Sequence, residues 1–242
     1  MVNNKKMSKK KNDIFLSTDD KLIYSIKKHI NDDNFLKSKF YHKNNKYKID
    51  DLLKSIIYIL KTCVSYRNVN TFTENINWNT IYKFHCKLIK YNIINDTYQK
   101  CINKYLNELV KHTQILYTDT TFICNKLGSE NISFNQQIKK HKTNKVSIIT
   151  DDFNIPISVV TSTGATNDSL ILNNQIDVLH KNHPIIFNED KIILADAAYD
   201  SSILRNKVKD LKLGKLITPI NKRNSKITNK INLYDKMLLK KE

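Results

Sequence analysis

The chain has 242 residues, 40% of them hydrophobic and 26% charged, with only 3 Gly and 3 Pro. That is enough apolar material for a packed core, and too little Gly and Pro for collagen-like, linker-like or Pro-rich architectures. Lys and Arg number 41 against 23 Asp and Glu, a formal charge of +18, which makes nucleic acid the default partner and a membrane surface the second. Part of this charge has a simple source. Only Arg67, Arg205 and Arg223 are Arg, and the abundance of Lys, Asn and Ile is what an A/T-rich genome favours. No stretch approaches the roughly 18 apolar residues that span a bilayer. No basic amphipathic helix with a Trp/Phe face favours a membrane surface.

Residues 1–12 form a Lys-rich tail with no apolar run behind it, so they are expected to be a solvated arm rather than a secretory signal. From 13 to 112 the apolar residues recur at helical spacing. Ile49, Leu52, Leu53, Ile56, Ile57, Leu60 and Val64 fall on one face, with Asp50 or Asp51 as the cap. A second helix is predicted from Asn79 to about Tyr91, with Ile81, Phe84, Leu88 and Ile89 inward and Asn92 as its stop. A third starts near Asn95 or Asp96 and carries Tyr98, Cys101, Ile102, Tyr105, Leu106 and Leu109. Short helices with tight turns on a basic chain fit a helix-turn-helix type of DNA reader, and equally a plain helical bundle. Cys63, Cys86, Cys101 and Cys124 include no C-x-x-C pair and are expected to be reduced, mostly buried thiols of an intracellular protein. His180 and His183 give the only local hint of a zinc site.

After His112 the texture changes. Strands are predicted at 114–124, 145–151 and 155–164, the last two joined by a turn at Asp152, Phe153 and Asn154. Asn167 and Asp168 cap a helix with Leu170, Ile171, Leu172, Ile176 and Leu179. The segment 191–200 opens with an all-apolar run, as a strand buried on both faces does. Ser201 or Ser202 caps a further helix, and 215–220 is a fifth strand. The expected class is α+β, with a helical region at 13–112 and a core at 113–242 ordered β-β-β-α-β-α-β, the order of the ribonuclease H-like fold.

Two aspartates stand out by position. Asp119 sits inside the first strand, and Asp196 ends the apolar fourth strand, 77 residues later. A charge in or beside a buried strand is costly unless it is paired or bound to a metal. In this strand order the first and fourth strands are neighbours, so the two carboxylates converge on one cleft. Hard divalent cations suit such oxygen ligands, and two of them can activate a water and stabilise the leaving 3′-oxygen of a phosphodiester.

The segment from about Tyr66 to Leu233 resembles the DDE transposases of bacterial insertion sequences. The residues that carry the resemblance are YTDTT (117–121), KTNKVSIITDDFNIPISVVTSTGATNDS (142–169), ILADAAYDS (193–201) and LITPINKRN (216–224), with VSYRNV (64–69) and WNTIYKFHCKL (78–88) upstream. The resemblance implies that Asp119 and Asp196 are catalytic and bind metal, two Mg²⁺ ions for which Mn²⁺ can substitute. It implies that Lys145 touches DNA and that Asp168 is a recurrent acidic position, read structurally as a helix N-cap. Tyr199 and Asp200 would support Asp196 by packing and capping. Arg67, Lys83 and Lys87 of the helical region are further candidates for DNA contact. Double-stranded DNA is the implied partner, and the joining of two element ends implies at least a homodimer.

The resemblance breaks at its end. The family places a Glu on a helix after the fifth strand, in the setting Y-x-x-R-x-x-x-E. Counted from Tyr234, Met237 stands at the Arg position and Lys241 at the Glu position, with Glu242 one place late as the nearest candidate for the third carboxylate. The expectation is a product truncated before its last helix. Three functions follow: a DNA transposase, an inactive truncated remnant that binds DNA without cleaving it, or another ribonuclease H-like nuclease acting on RNA or junctions.

Overall fold

The computed structural model describes residues 17–42, 45–71, 76–109, 113–125, 132–134, 142–186 and 190–219. The basic tail and everything beyond Pro219, Glu242 included, lie outside the described residues. The chain divides into two compact units, Met1–Cys101 and Ile102–Glu242. No helix among the described residues is long and apolar enough to cross a membrane.

The first unit holds α1 (Thr18–Asp32), α2 (Asn34–Phe40), α3 (Ile49–Thr62), a 3-10 turn at Tyr66–Thr71, α4 (Trp78–Lys90) and the start of α5 (Ile93–Leu109). Polar side chains satisfy the free amides at several helix starts. Ser17 accepts from Asp20 N, Asp33 from Phe35 N and Leu36 N, and Asn77 from Asn79 N. The cap expected for α3 is different. Lys48 occupies the cap position without a side-chain bond, and Asp50 and Asp51 lie in the first turn. There they complement the positive end of the helix dipole, and Asp50 also pairs with Lys27 at 2.8 Å. Ile30, Leu53, Ile81, Leu88 and Ile93 form the centre of the core. Leu60 and Ile89 were expected inside and are exposed. Ile89 is one residue past Leu88, about 100° round the helix and off the buried stripe. Leu60 lines an open apolar groove of about 230 Å³ with Leu22, Ile26 and Ile94. Asn92 does stop α4, in the left-handed region at φ 54°.

The second unit is built on a mixed sheet. Its strands are β1 (Ile115–Cys124), β2 (Ser133–Phe134), β3 (Lys142–Thr150), β4 (Pro156–Thr163), β5 (Ile192–Leu194) and β6 (Lys215–Ile217). The order β4-β3-β1-β5-β6 has β1, β3 and β4 antiparallel, then β5 and β6 parallel to β1. With α6 (Asp168–Asn182) before β5 and α7 (Ser202–Asp210) before β6, this is the α+β, ribonuclease H-like order read from the sequence. The two-residue β2, paired to Lys142 and Thr143, was not foreseen.

Burial alternates along β3. Thr143, Lys145, Ser147 and Ile149 are buried, and the residues between them are half-buried. The buried face is covered by α6 through Ile171, Leu172, Gln175, Ile176 and Leu179. Gln175 is held there by Ser147 Oγ, which donates to its Oε1 at 2.6 Å, while its Nε2 donates to Ser158 O at 3.1 Å. Leu116 and Ile193 continue this face into β1 and β5. The opposite face of β1 carries the exposed Tyr117, Asp119, Thr121 and Ile123.

The β3–β4 turn is fixed by a buried carboxylate. Asp151 accepts from Phe153 N, Ile155 N and the Tyr105 hydroxyl. Burial first, then the bond to Asp151, pushes the Tyr105 phenol up to about 12.

Candidate active site

The parallel register sets Ile115 against Ile192, Leu116 against Ile193 and Tyr117 against Leu194. Two residues beyond the paired Tyr117, Asp119 lies on the same face of β1 as Tyr117, because side chains alternate with period two, and Asp196 follows two residues after Leu194, just past the end of β5. That face is the one opposite Leu116 and Ile193. The chain stays extended past β5, since Ala195 N donates to Ile217 O at 3.1 Å and Asp196 itself has φ −75° and ψ 179°.

Each carboxylate is steadied by one backbone amide. Asp119 Oδ1 accepts from Thr120 N at 2.7 Å, and Asp196 Oδ1 accepts from Ala198 N at 2.8 Å. Both side chains are exposed. Among the described residues, neither Oδ2 is hydrogen-bonded and neither aspartate pairs with Lys or Arg.

Behind this pair, on the α6 side of the sheet, lies a polar cluster. Thr120 Oγ1 donates to Asp168 Oδ1 at 2.8 Å. Lys145 Nζ donates to the same Oδ1 and to Thr166 O, both at 2.8 Å, and sits 4.7 Å from the Phe122 ring centre. Tyr199, in the 3-10 turn Ala197–Tyr199 that Asp196 caps, is fully buried, and its hydroxyl has no hydrogen-bond partner among the described residues. Burial first, with Asp168, Asp119 and Asp196 adding repulsion of a phenolate, pushes Tyr199 up to about 12.

Residues 90–241 match the family described as Transposase DDE domain. The chain belongs to the DDE transposase family. Solved structures with some likeness to this DDE transposase domain include the piggyBac transposase synaptic complex with hairpin DNA, at 10% identity and a TM-score of 0.46, covering 86% of this chain and 50% of that one. The Mos1 transposase paired-end complex with left transposon end gives 13% identity and a TM-score of 0.30, covering 73% of this chain and 60% of that one. The Mos1 mariner paired end complex with Mn gives 11%, 0.30, 73% and 60%. This chain thus spans half to three fifths of those proteins. No curated protein matches it.

Several side chains of the DDE transposase chain lie elsewhere than the sequence suggested. Lys145 was expected at DNA, but it is 5% exposed and its ammonium is committed to Asp168 and Thr166. Lys87, another DNA candidate, donates to Lys39 O at 2.5 Å and lies over the Phe40 ring, and burial lowers its pKa. Arg67 and Lys83 are exposed, with Arg67 stacked 5.7 Å from the Trp78 ring centre. Asn167, not Asp168, is the cap of α6, which leaves the Asp168 carboxylate free for the cluster. Asp200 pairs with Arg205, which also donates to Leu216 O and Thr218 Oγ1 and so ties the turn to β6. The four thiols are free and exposed rather than buried. His183 is buried against Asn103 Oδ1, and the described residues contain no group of three or more metal-ligating side chains. The third candidate carboxylate, Glu242, lies outside the described residues.

The two tyrosines set an alkaline limit. Both phenols are raised above their ordinary value of about 10, so the fold favours the protonated form. Their contribution is complete below pH 10 and is lost as pH rises toward about 12. Denaturant midpoints are therefore expected to fall between pH 10 and 12, and Tyr105→Phe with Tyr199→Phe is expected to flatten that fall.

Proposed function

We propose that this chain is the catalytic part of a DNA transposase. In this reading it hydrolyses a phosphodiester at an element's end and joins the freed 3′-hydroxyl to target DNA. The observation that carries the proposal is the pair Asp119 and Asp196. They are exposed, each two residues past the last pair of the adjacent parallel strands β1 and β5, and without a basic partner among the described residues, in a protein of net charge +18. Leaving two carboxylates unneutralised in such a chain is what a cation site requires.

The donor set fits a divalent metal. Carboxylate oxygens are hard ligands, and Mg²⁺ keeps several waters while taking one or two protein carboxylates. Bound there, two Mg²⁺ or Mn²⁺ ions would supply an activated water and charge stabilisation for the leaving 3′-oxygen. The chain's own part is placement. Asp119 is carried by β1 and steadied at Oδ1 by the Thr120 amide, Asp196 is steadied at Oδ1 by the Ala198 amide, and among the described residues each Oδ2 is left without a hydrogen bond. Glu242 is the proposed third carboxylate. The helical region is proposed to hold DNA, with Arg67 and Lys83 as contacts, and strand transfer is proposed to need a homodimer.

The test uses the full chain and linear duplex DNA in Mg²⁺ or Mn²⁺. Binding should weaken steeply between low and high salt, as counterion release dictates, and nicking should require the metal. Binding without nicking in either metal would reduce the chain to a DNA-binding remnant. Binding indifferent to salt would remove DNA as its partner, and preference for RNA or branched substrates would point to a different nuclease.

A further inference from the structure

The cluster behind the sheet is built like a support. Lys145, Asp168 and Thr120 are linked end to end, each bond at 2.8 Å, and the Lys145 side chain is 6% exposed. An ammonium buried to that extent costs free energy unless every bond is made. Here it has a carboxylate, a carbonyl and an aromatic face. The next link is covalent. Thr120 follows Asp119, and its own amide holds Asp119 Oδ1. A shift of the Thr120 main chain would therefore move the carboxylate's anchor. The second aspartate is reached through the 3-10 turn that the fully buried Tyr199 ends, whose amide at Ala198 holds Asp196. Helix α6, which carries Asp168, contacts that same turn.

We propose that Lys145, Asp168 and Thr120 form a positioning relay that sets Asp119, and through the contact of α6 with the Ala197–Tyr199 turn sets Asp196, at the separation a shared cation needs. This rests on the metal site proposed above. None of the three touches the ion or the DNA; they act through the two aspartates, as outer partners of metal ligands do.

The test is Mn²⁺ affinity, read by the loss of the free-ion electron paramagnetic resonance signal on the full chain. Thr120→Val replaces the hydroxyl with a methyl of the same shape and keeps the strand. Asp168→Asn keeps an acceptor for Thr120 but removes the charge that holds Lys145. Both are expected to weaken Mn²⁺ binding by about 10- to 100-fold, measured below their melting temperatures, while Thr161→Val at an exposed position of β4 changes nothing. Should Asp168→Asn fail to fold, Thr120→Val decides alone. Wild-type affinity in Thr120→Val overturns the relay. If the unaltered chain binds no Mn²⁺ that Asp119→Asn removes, the metal site itself is wrong and the relay falls with it.

Discussion

Asp119→Asn should abolish metal-dependent nicking of duplex DNA. The expected loss is on the order of 10³-fold, or about 4 kcal/mol of barrier. The substitution keeps size and the bond from Thr120 N but removes the charge that the cation needs. Asp196→Asn should do the same, because each carboxylate alone leaves half a site. The double variant should be little worse than either single one, since groups that act as a unit do not add. Asp177→Asn on α6 is the control. It removes a carboxylate that pairs with Lys207 and is 62% exposed, and should leave nicking near wild type. The assay is a time course on a labelled duplex in Mn²⁺, with binding measured in parallel. Nicking that survives in Asp119→Asn would mean the reaction is not carried by this pair.

Gly214→Ala should be the most damaging single methyl in the second unit. Gly214 precedes β6 with φ 106°, a conformation that L side chains rarely adopt. An added Cβ would stand 1.9 Å from Lys191 O and 2.5 Å from its carbon. That carbonyl accepts from Lys215 N at 2.8 Å, the first bond joining β6 to the segment before β5. Backbone cannot swing away as a flexible side-chain tip can, so the clash opens the start of the parallel pair. Strain and overpacking together should cost about 2–5 kcal/mol. Urea unfolding monitored by circular dichroism would show it as a lower midpoint with an unchanged slope. A variant as stable as wild type would mean that this turn adjusts freely.

The sheet order was legible because the hydrophobic period changes at His112 and because β5 is a short all-apolar run. Once β1 and β5 are neighbours, Asp119 and Asp196 must share a face if both are an even number of residues from the paired Tyr117 and Leu194. The cluster behind them was less legible, although one signal was present. Lys145 is in phase with Ser147 and Ile149, the side that α6 covers, so its parity argued against a solvent role. Asn167 and Asp168 are equally good caps by residue type. Only the backbone at Asn167, extended at φ −67° and ψ 139°, decides between them. Lys87 misled for a different reason. A long side chain can bury its stem and end on a carbonyl, and composition does not say which lysines do so. The two-residue β2 is too short to leave a periodic trace.

The most direct measurement is the anomalous scattering of Mn²⁺ in crystals of this chain. A peak is expected at ligand distance from carboxylate oxygens of both Asp119 and Asp196, lost in Asp119→Asn. A peak bound elsewhere, or the two carboxylates standing apart with no metal between them at saturating Mn²⁺, would contradict it.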